Sequence, residues 1–286
     1  MSNESSAAPE QQVAEAGHGR AGRNLAAAVA AGVVLGAICL ISLFTVKWGF
    51  ALVAGVALLI AVREFESALA HRDIRLDAIP LYIGVVGVST AACLWGIEGL
   101  AVAFGILVLA LLFAGLRHGT DHYVRNTSAS VMVAAYLPFM IGFVMLMLRS
   151  DNGALRIVAF ILLTICSDIG GYIAGVLFGK HPIAPSISPK KSWEGLIGSI
   201  VLQCIAGAAI FTWMFHAPAW QGVVTGLVMT AVATLGDFTE SAIKRDLGVK
   251  DMGTIVPGHG GMMDRLDSLI PNAFTSWALF TLFLGP

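Results

Sequence analysis

Polar and apolar positions fall in long blocks along this chain, not in short alternating stripes. Runs of roughly 17 to 25 apolar residues recur, each able to cross a hydrocarbon core of about 30 Å as one helix, and short polar stretches separate them. The pattern predicts nine such helices, at about 25–46, 48–62, 79–97, 99–116, 129–148, 154–178, 193–215, 219–235 and 268–284. The second is short and leads into REFESALAHRD, so an amphipathic continuation along the interface is expected there. The fold class that follows is all-α: a polytopic integral membrane protein with about nine transmembrane helices.

Composition removes the alternative of a soluble domain. Apolar residues make up 57% of the 286 positions and charged residues 12%, against about 25% charged in soluble domains, and the mean hydropathy is +0.82. Charge placement then sets the orientation. With a cytoplasmic N-terminus, nine crossings put fourteen of the 17 Lys and Arg residues inside and leave Lys47, Arg149 and Arg156 outside, as the positive-inside rule requires. The first 24 residues, rich in Ser, Ala, Gln, Glu and Gly, are too polar to build a core and read as a disordered cytoplasmic tail. Residues 25–150 then form a set of N-terminal transmembrane helices. Residues 151–286 form a catalytic transmembrane region whose site faces the cytoplasm. Cys39, Cys93, Cys166 and Cys204 lie inside predicted spans without CxxC spacing and read as small packing residues.

Three polar features converge on the cytoplasmic side of this map. Asp168 lies in ILLTICSDIGGYIAGVLFG, at a depth where a carboxylate costs about 2.5–3.5 kcal/mol, so a polar cavity or a partner is expected beside it. Gly171, Gly175 and Gly179 recur every fourth residue in the same segment and would let a neighbouring helix approach closely. The loop GKHPIAPSISPKKSWEGLIG delivers Lys190 and Lys191 next to a helix start, with Ser192 at the N-cap and Glu194 in the first turn. In LGDFTESAIKRD, the residues Asp237, Ser241 and Lys244 share one helical face that could point toward a common ligand, whereas Glu240 and Asp246 fall off it and read as surface charges.

The densest chemistry is in SAIKRDLGVKDMGTIVPGHGGMMDRLD, residues 241–267. Lys244, Arg245, Lys250 and Arg265 can hold phosphate oxygens, and Asp264 and Asp267 can hold a hard metal ion. Gly258, Gly260 and Gly261 around His259 are expected to let backbone approach a phosphate closely. Magnesium takes one or two carboxylates and completes its shell with water and phosphates, so Asp264 with Asp237 or Asp267 would suffice. Together the charges suggest a metal-bridged polyphosphate at a membrane surface.

This segment resembles the diagnostic motif of the phosphatidate cytidylyltransferases, the CDP-diglyceride synthases, through Ser241, Lys244, Arg245, Lys250, Asp251, Gly253, His259, Gly260, Gly261, Asp264, Arg265 and Asp267. SDIGGYIAGVLFGK, ISPKKSWEG and LGDFTES are also similar to family segments, so the specific resemblance covers roughly residues 166–267. It implies transfer of CMP from CTP to phosphatidic acid, giving CDP-diacylglycerol and pyrophosphate. It also implies a metal centre in which Asp237 and Asp264 participate, with Mg²⁺ alone or with a second cation, and a homodimer in the inner or plasma membrane. No nucleic-acid partner is expected. A phosphate monoester is already largely ionised near pH 7, so no base is needed and His259 is assigned to positioning a phosphate or the loop. Asp237, Lys244, Asp264 and Arg265 are the expected catalytic group. Asp168, Lys190, Lys191, Ser241, Arg245, Lys250, His259, Gly260 and Gly261 are the expected substrate contacts. Two other readings stand beside this one: a CTP-dependent membrane lipid kinase, which would release CDP, and a non-enzymatic ion-coupled transporter using Asp168, which would show counterflow without nucleotide.

Overall fold

The computed structural model describes residue 34 and residues 36–255 and 260–286. The predicted tail at 1–24 and the assignment for His259 lie outside the described residues. Among the described residues the regular structure is helical except for one small hairpin, with turns and loops between the helices. Its elements are α1 (Gly36–Thr45), α2 (Lys47–Ala70), α3 (Ala78–Gly115), α4 (Tyr123–Ala134), α5 (Met140–Arg149), α6 (Gly153–Phe178), β1 (Pro182–Ala184), β2 (Ser188–Ser192), α7 (Trp193–Ala209), α8 (Ala219–Leu247), α9 (Met263–Leu266) and α10 (Leu269–Leu284).

Among the described residues, six helical stretches are long and apolar enough to cross a membrane: α2, α3, α4 with α5, α6, α7 with the turn after it, and α8. Large apolar side chains point outward along them, among them Ile83, Val102, Phe113, Ile173, Val201 and Trp213. Lipid contact accounts for such a surface, because acyl chains solvate it as well as a protein core would.

One stretch hides a reversal. Inside α3, Gly96 takes φ 72° and ψ −147°, a conformation that a side chain would strain. Gly84, before it, packs against the side chain of Leu107, after it. In a continuous helix these residues would stand about 35 Å apart. The chain therefore doubles back at Gly96, and the two arms correspond to the segments predicted at 79–97 and 99–116. A softer irregularity joins α4 to α5, where a π turn at Ala135–Phe139 absorbs Pro138, which has no N–H to donate.

The helices nearest the polar motifs are held by small residues and by hydrogen bonds. A Cβ at Gly170 would stand 2.5 Å from the carbonyl oxygen of Gly198, and a Cβ at Gly198 equally close to that of Gly170, so α6 and α7 touch backbone to backbone. The Ser199 hydroxyl donates to the Ser167 carbonyl at 2.7 Å across the same seam, and Thr230 of α8 donates to the buried Gln203 of α7. The close neighbour expected for the glycine face of α6 is thus α7. On the other side, Phe143 of α5 packs against Phe274 and Trp277 of α10, with both centroid separations 5.0 Å.

The eighth predicted segment ended near 235, but α8 runs on to Leu247 as 29 residues, about 43 Å of helix. Its polar end is capped at Gly248, which takes φ 73° and donates to the Arg245 carbonyl. Asp237, Glu240 and Lys244 therefore stand on a rigid rod that continues an apolar span.

Candidate active site

A cavity of about 260 Å³ lies between α6, α7, α8 and the β1–β2 hairpin, lined by Asp168, Tyr172, Lys190, Lys191, Ser192 and Asp237 among others. The hairpin delivers the two lysines. Its strands pair antiparallel, with Pro182 opposite Ser192 and Ala184 opposite Ser188. Glu194 secures its base by accepting from the backbone N–H groups of Lys180 at 3.2 Å and His181 at 3.3 Å. The Ser192 hydroxyl accepts from Gly195 N–H at 3.1 Å, which is the expected N-cap of α7. Lys191 then reaches across to form an ion pair with Asp237 of α8. Lys191 and Arg265 both stand within electrostatic reach of Asp168.

Asp267 belongs to the same field. Its carboxyl is pushed up to about 7, first by burial and then by the Asp237 carboxylate, with Asp168 adding to the effect while a bond from Ser268 N–H and the charge of Lys191 oppose it. Three carboxylates, on α6, on α8 and after α9, act on one another, with Lys191 and Arg265 as opposing cations. Repulsion among these carboxylates is what a bound cation would relieve.

A second cluster lies farther along α8. Lys244 Nζ stands 2.6 Å from Glu240 Oε2 and 3.0 Å from Asp264 Oδ1. Glu240 is only 1% exposed, and its Oε1 has no hydrogen-bond partner among the described residues. The expectation of a surface charge there is wrong, because α8 turns this side chain into the protein, where Lys244 compensates it. The shared face of Asp237, Ser241 and Lys244 is also divided: Asp237 faces the cavity and pairs with Lys191, while Lys244 pairs with Glu240 and Asp264.

Asp264 is committed to the loop. Oδ2 accepts from Gly261 N–H at 2.8 Å and from Met252 N–H at 3.1 Å, while Oδ1 accepts from Lys244. Burial alone would raise its carboxyl, but the Gly261 N–H and Lys244 outweigh burial and hold it below the usual range. Gly260, at φ 80°, lets the backbone turn tightly over this carboxylate. Asp246, Arg245, Lys250 and Arg265 are exposed, and Ser241 is half-buried outside the cavity lining.

Among the described residues, no three His, Cys, Asp or Glu side chains converge closely enough to hold a metal by themselves. A divalent ion such as Mg²⁺ would accordingly need two carboxylates plus substrate oxygens here, which is how this ion is commonly held. Asp237 and Asp267 repel each other, with Asp168 adding to the effect, and are the two carboxylates that a cation could bring together.

One residue of this region was invisible in the motifs. Glu64, on α2, accepts N–H bonds from Met262 and Met263, both at 2.8 Å. Its only local sign in the sequence was its place in REFESALAHRD, where it is one of several charges that an amphipathic helix would carry.

The pattern of the cytidylyltransferase family matches residues 26–283. The phosphatidate cytidylyltransferase of Mycobacterium leprae is 38% identical over 282 residues, 92% of this chain and 89% of the relative. That of Mycobacterium bovis is 36% identical over 276 residues, 92% and 90% of the two chains. That of Helicobacter pylori is 33% identical over 212 residues, 69% and 79%.

Proposed function

The chain belongs to the cytidylyltransferase family, and we propose that it works by metal-assisted, in-line attack on the α-phosphorus of CTP. It is a nucleotidyltransferase of the membrane: CMP passes from CTP to phosphatidic acid, giving CDP-diacylglycerol and pyrophosphate. The observation that carries the assignment of residues is the cavity where Asp168, Lys190, Lys191 and Asp237 meet, with Asp267 acting on the same charges.

The two substrates dictate the location. Phosphatidic acid leaves a bilayer only at large cost, because about 0.8 kcal/mol attaches to each exposed CH₂, whereas CTP cannot enter one. The lysines and carboxylates stand at the end of the apolar spans where both can reach. In this reading nine helices cross the inner membrane, the N-terminus is cytoplasmic and the site faces the cytoplasm, supported by the fourteen-to-three distribution of Lys and Arg. Homodimeric assembly belongs to the same reading and rests on the family resemblance.

Phosphatidate presents an oxygen that is already anionic, so the protein's task is alignment and charge balance. Lys190 and Lys191 hold phosphate oxygens at the cavity mouth, Lys191 exchanging its contact with Asp237 for the incoming anion. Arg265, exposed beside Asp168, meets the departing pyrophosphate. Lys244 keeps Asp264 in place, and Asp264 holds the loop by its N–H groups. Arg245, Lys250 and Ser241 serve the outer phosphates, and His259 positions the loop. Mg²⁺, alone or with a second cation, would be held by Asp237 and Asp267, while Asp264 orders the loop that leads to Asp267, and when bound it supplies neutralisation of polyphosphate charge.

Release of labelled pyrophosphate from purified protein given CTP, phosphatidic acid and Mg²⁺ tests the assignment. Pyrophosphate from wild type, and little from Asp237→Asn, supports it. Release of CDP instead would identify a lipid kinase, and no nucleotide turnover would end the enzymatic reading.

A further inference from the structure

Glu64 is 3% exposed, a carboxylate buried in α2 with no ion-pair partner among the described residues. A buried charge persists only where its oxygens are hydrogen-bonded, and here both are. Oε1 accepts from Met262 N–H and Oε2 from Met263 N–H, across 198 and 199 residues of chain. The adjoining N–H, Gly261, goes to Asp264, as does that of Met252. Four backbone donors of the Gly-rich segment are thus divided between two carboxylates, one belonging to the segment and one to the N-terminal half.

The glycines report the same contact. A Cβ at Gly261 would stand 2.6 Å from Glu64 Oε2, and one at Gly253 would collide with Glu64 Oε1. Glycine at these two positions therefore makes room for a protein carboxylate, whereas at Gly261 the sequence pattern alone suggested room for a phosphate. With these N–H groups occupied, phosphate oxygens are left to the lysine and arginine side chains.

We infer that Glu64 is a positioning residue of the active site. It fixes the start of α9 from outside, and so sets the place of Asp264 in the loop and of Arg265 and Asp267 in the field of Asp168 and Asp237. The N-terminal helices are in this way part of the catalytic unit and not only a membrane anchor. The inference rests on the reading of residues 264–267 as the nucleotide- and cation-handling segment.

The test uses full-length protein carrying Glu64→Gln, Gly253→Ala, Glu64→Ala and the last two combined. Glu64→Gln keeps the volume but turns an amide NH₂ toward a backbone N–H, so one of the two bonds is lost. Expected is a fall of at least tenfold in kcat/KM for CTP and a raised Mg²⁺ requirement, with KM for phosphatidic acid within twofold and the thermal midpoint within a few degrees. Gly253→Ala should cost at least tenfold in the wild-type background and less than twofold more once Glu64 is Ala, because the collision is gone. Hydrogen exchange at the Met262 and Met263 amides should accelerate in Glu64→Gln, with Met252 less affected. Unchanged kinetics and exchange in Glu64→Gln, a parallel fall of both KM-based efficiencies with the thermal midpoint, or equal costs of Gly253→Ala in the two backgrounds would each overturn the inference. The exchange measurement needs no turnover, so it separates failure here from failure of the assigned reaction, which wild-type pyrophosphate release decides alone.

Discussion

Lys191 and Asp237, 46 residues apart in sequence, form the ion pair that closes the polar cavity between the hairpin and α8. In the mechanism we propose this contact is temporary: the lysine turns to substrate phosphate and the carboxylate to a cation. Replacing Lys191 with Met is expected to reduce kcat by about 10²–10³, the usual range for removing one preorganised stabilising donor. Asp237→Asn should be at least as damaging, and the double substitution should cost clearly less than the two effects combined, since both residues serve one charge-balanced unit. Steady-state kinetics on the four proteins would check this, and strict additivity would refute it.

The two aspartates of the expected metal centre should behave differently on replacement. Asp264 accepts from two backbone N–H groups and from Lys244, so Asp264→Asn leaves a buried donor unpaired and is expected to cost about 1–3 kcal/mol of stability as well as activity. Asp237, half-buried at the cavity wall, should lose activity on change to Asn with little shift in thermal midpoint. Thermal unfolding in detergent, run beside activity, distinguishes a loop organiser from a cavity ligand.

Asp267 predicts a pH dependence of the metal-free protein. Its carboxyl is raised to about 7 by burial and by Asp237, from a value near 4 in the unfolded chain. Between those values the native state holds a proton that the unfolded state has released, so this group's stabilisation is present at low pH and is lost as pH rises toward 7. With chelator present, the thermal midpoint should therefore fall across pH 5 to 7. Asp264, whose carboxyl is depressed, works in the opposite sense and loses its contribution only below about pH 4. Millimolar Mg²⁺ should flatten the slope above pH 5, because it replaces the proton. An identical slope with and without Mg²⁺ would count against cation binding at Asp267.

The α6–α7 seam is expected to tolerate no side chain at its closest point. Gly198→Val places atoms where the Gly170 carbonyl now lies, so the helices must part, at a cost of about 1–3 kcal/mol. Asp168 and the hairpin lysines sit on the two separated elements, so activity should drop further than stability alone explains. Thermal midpoints and kcat for Gly198→Ala and Gly198→Val, graded by size, give the check.

Several features were legible because they are local. Ser192 at a helix start announces an N-cap, and it serves as one. Lys190 and Lys191 were marked by their position before that helix, and both line the cavity. The turn at Gly96 was visible as a weak break between two apolar runs, although only the contact of Gly84 with Leu107 reveals a reversal. Glu240 was misread because helical periodicity sorts residues into faces without saying which face is covered. The same limit split the supposed common face of Asp237 and Lys244, since each found its partner on a different element.

The sequence by itself determined the membrane class, the order of the apolar helices and the family to which the chemistry belongs. Those properties depend on the length of apolar runs and on short motifs, which local composition carries in full. Tertiary structure decided the pairings: Lys191 with Asp237, Lys244 between Glu240 and Asp264, and Glu64 beneath the Gly-rich loop. These contacts join distant segments whose meeting depends on how whole helices dock, and no periodicity within either segment encodes the partner.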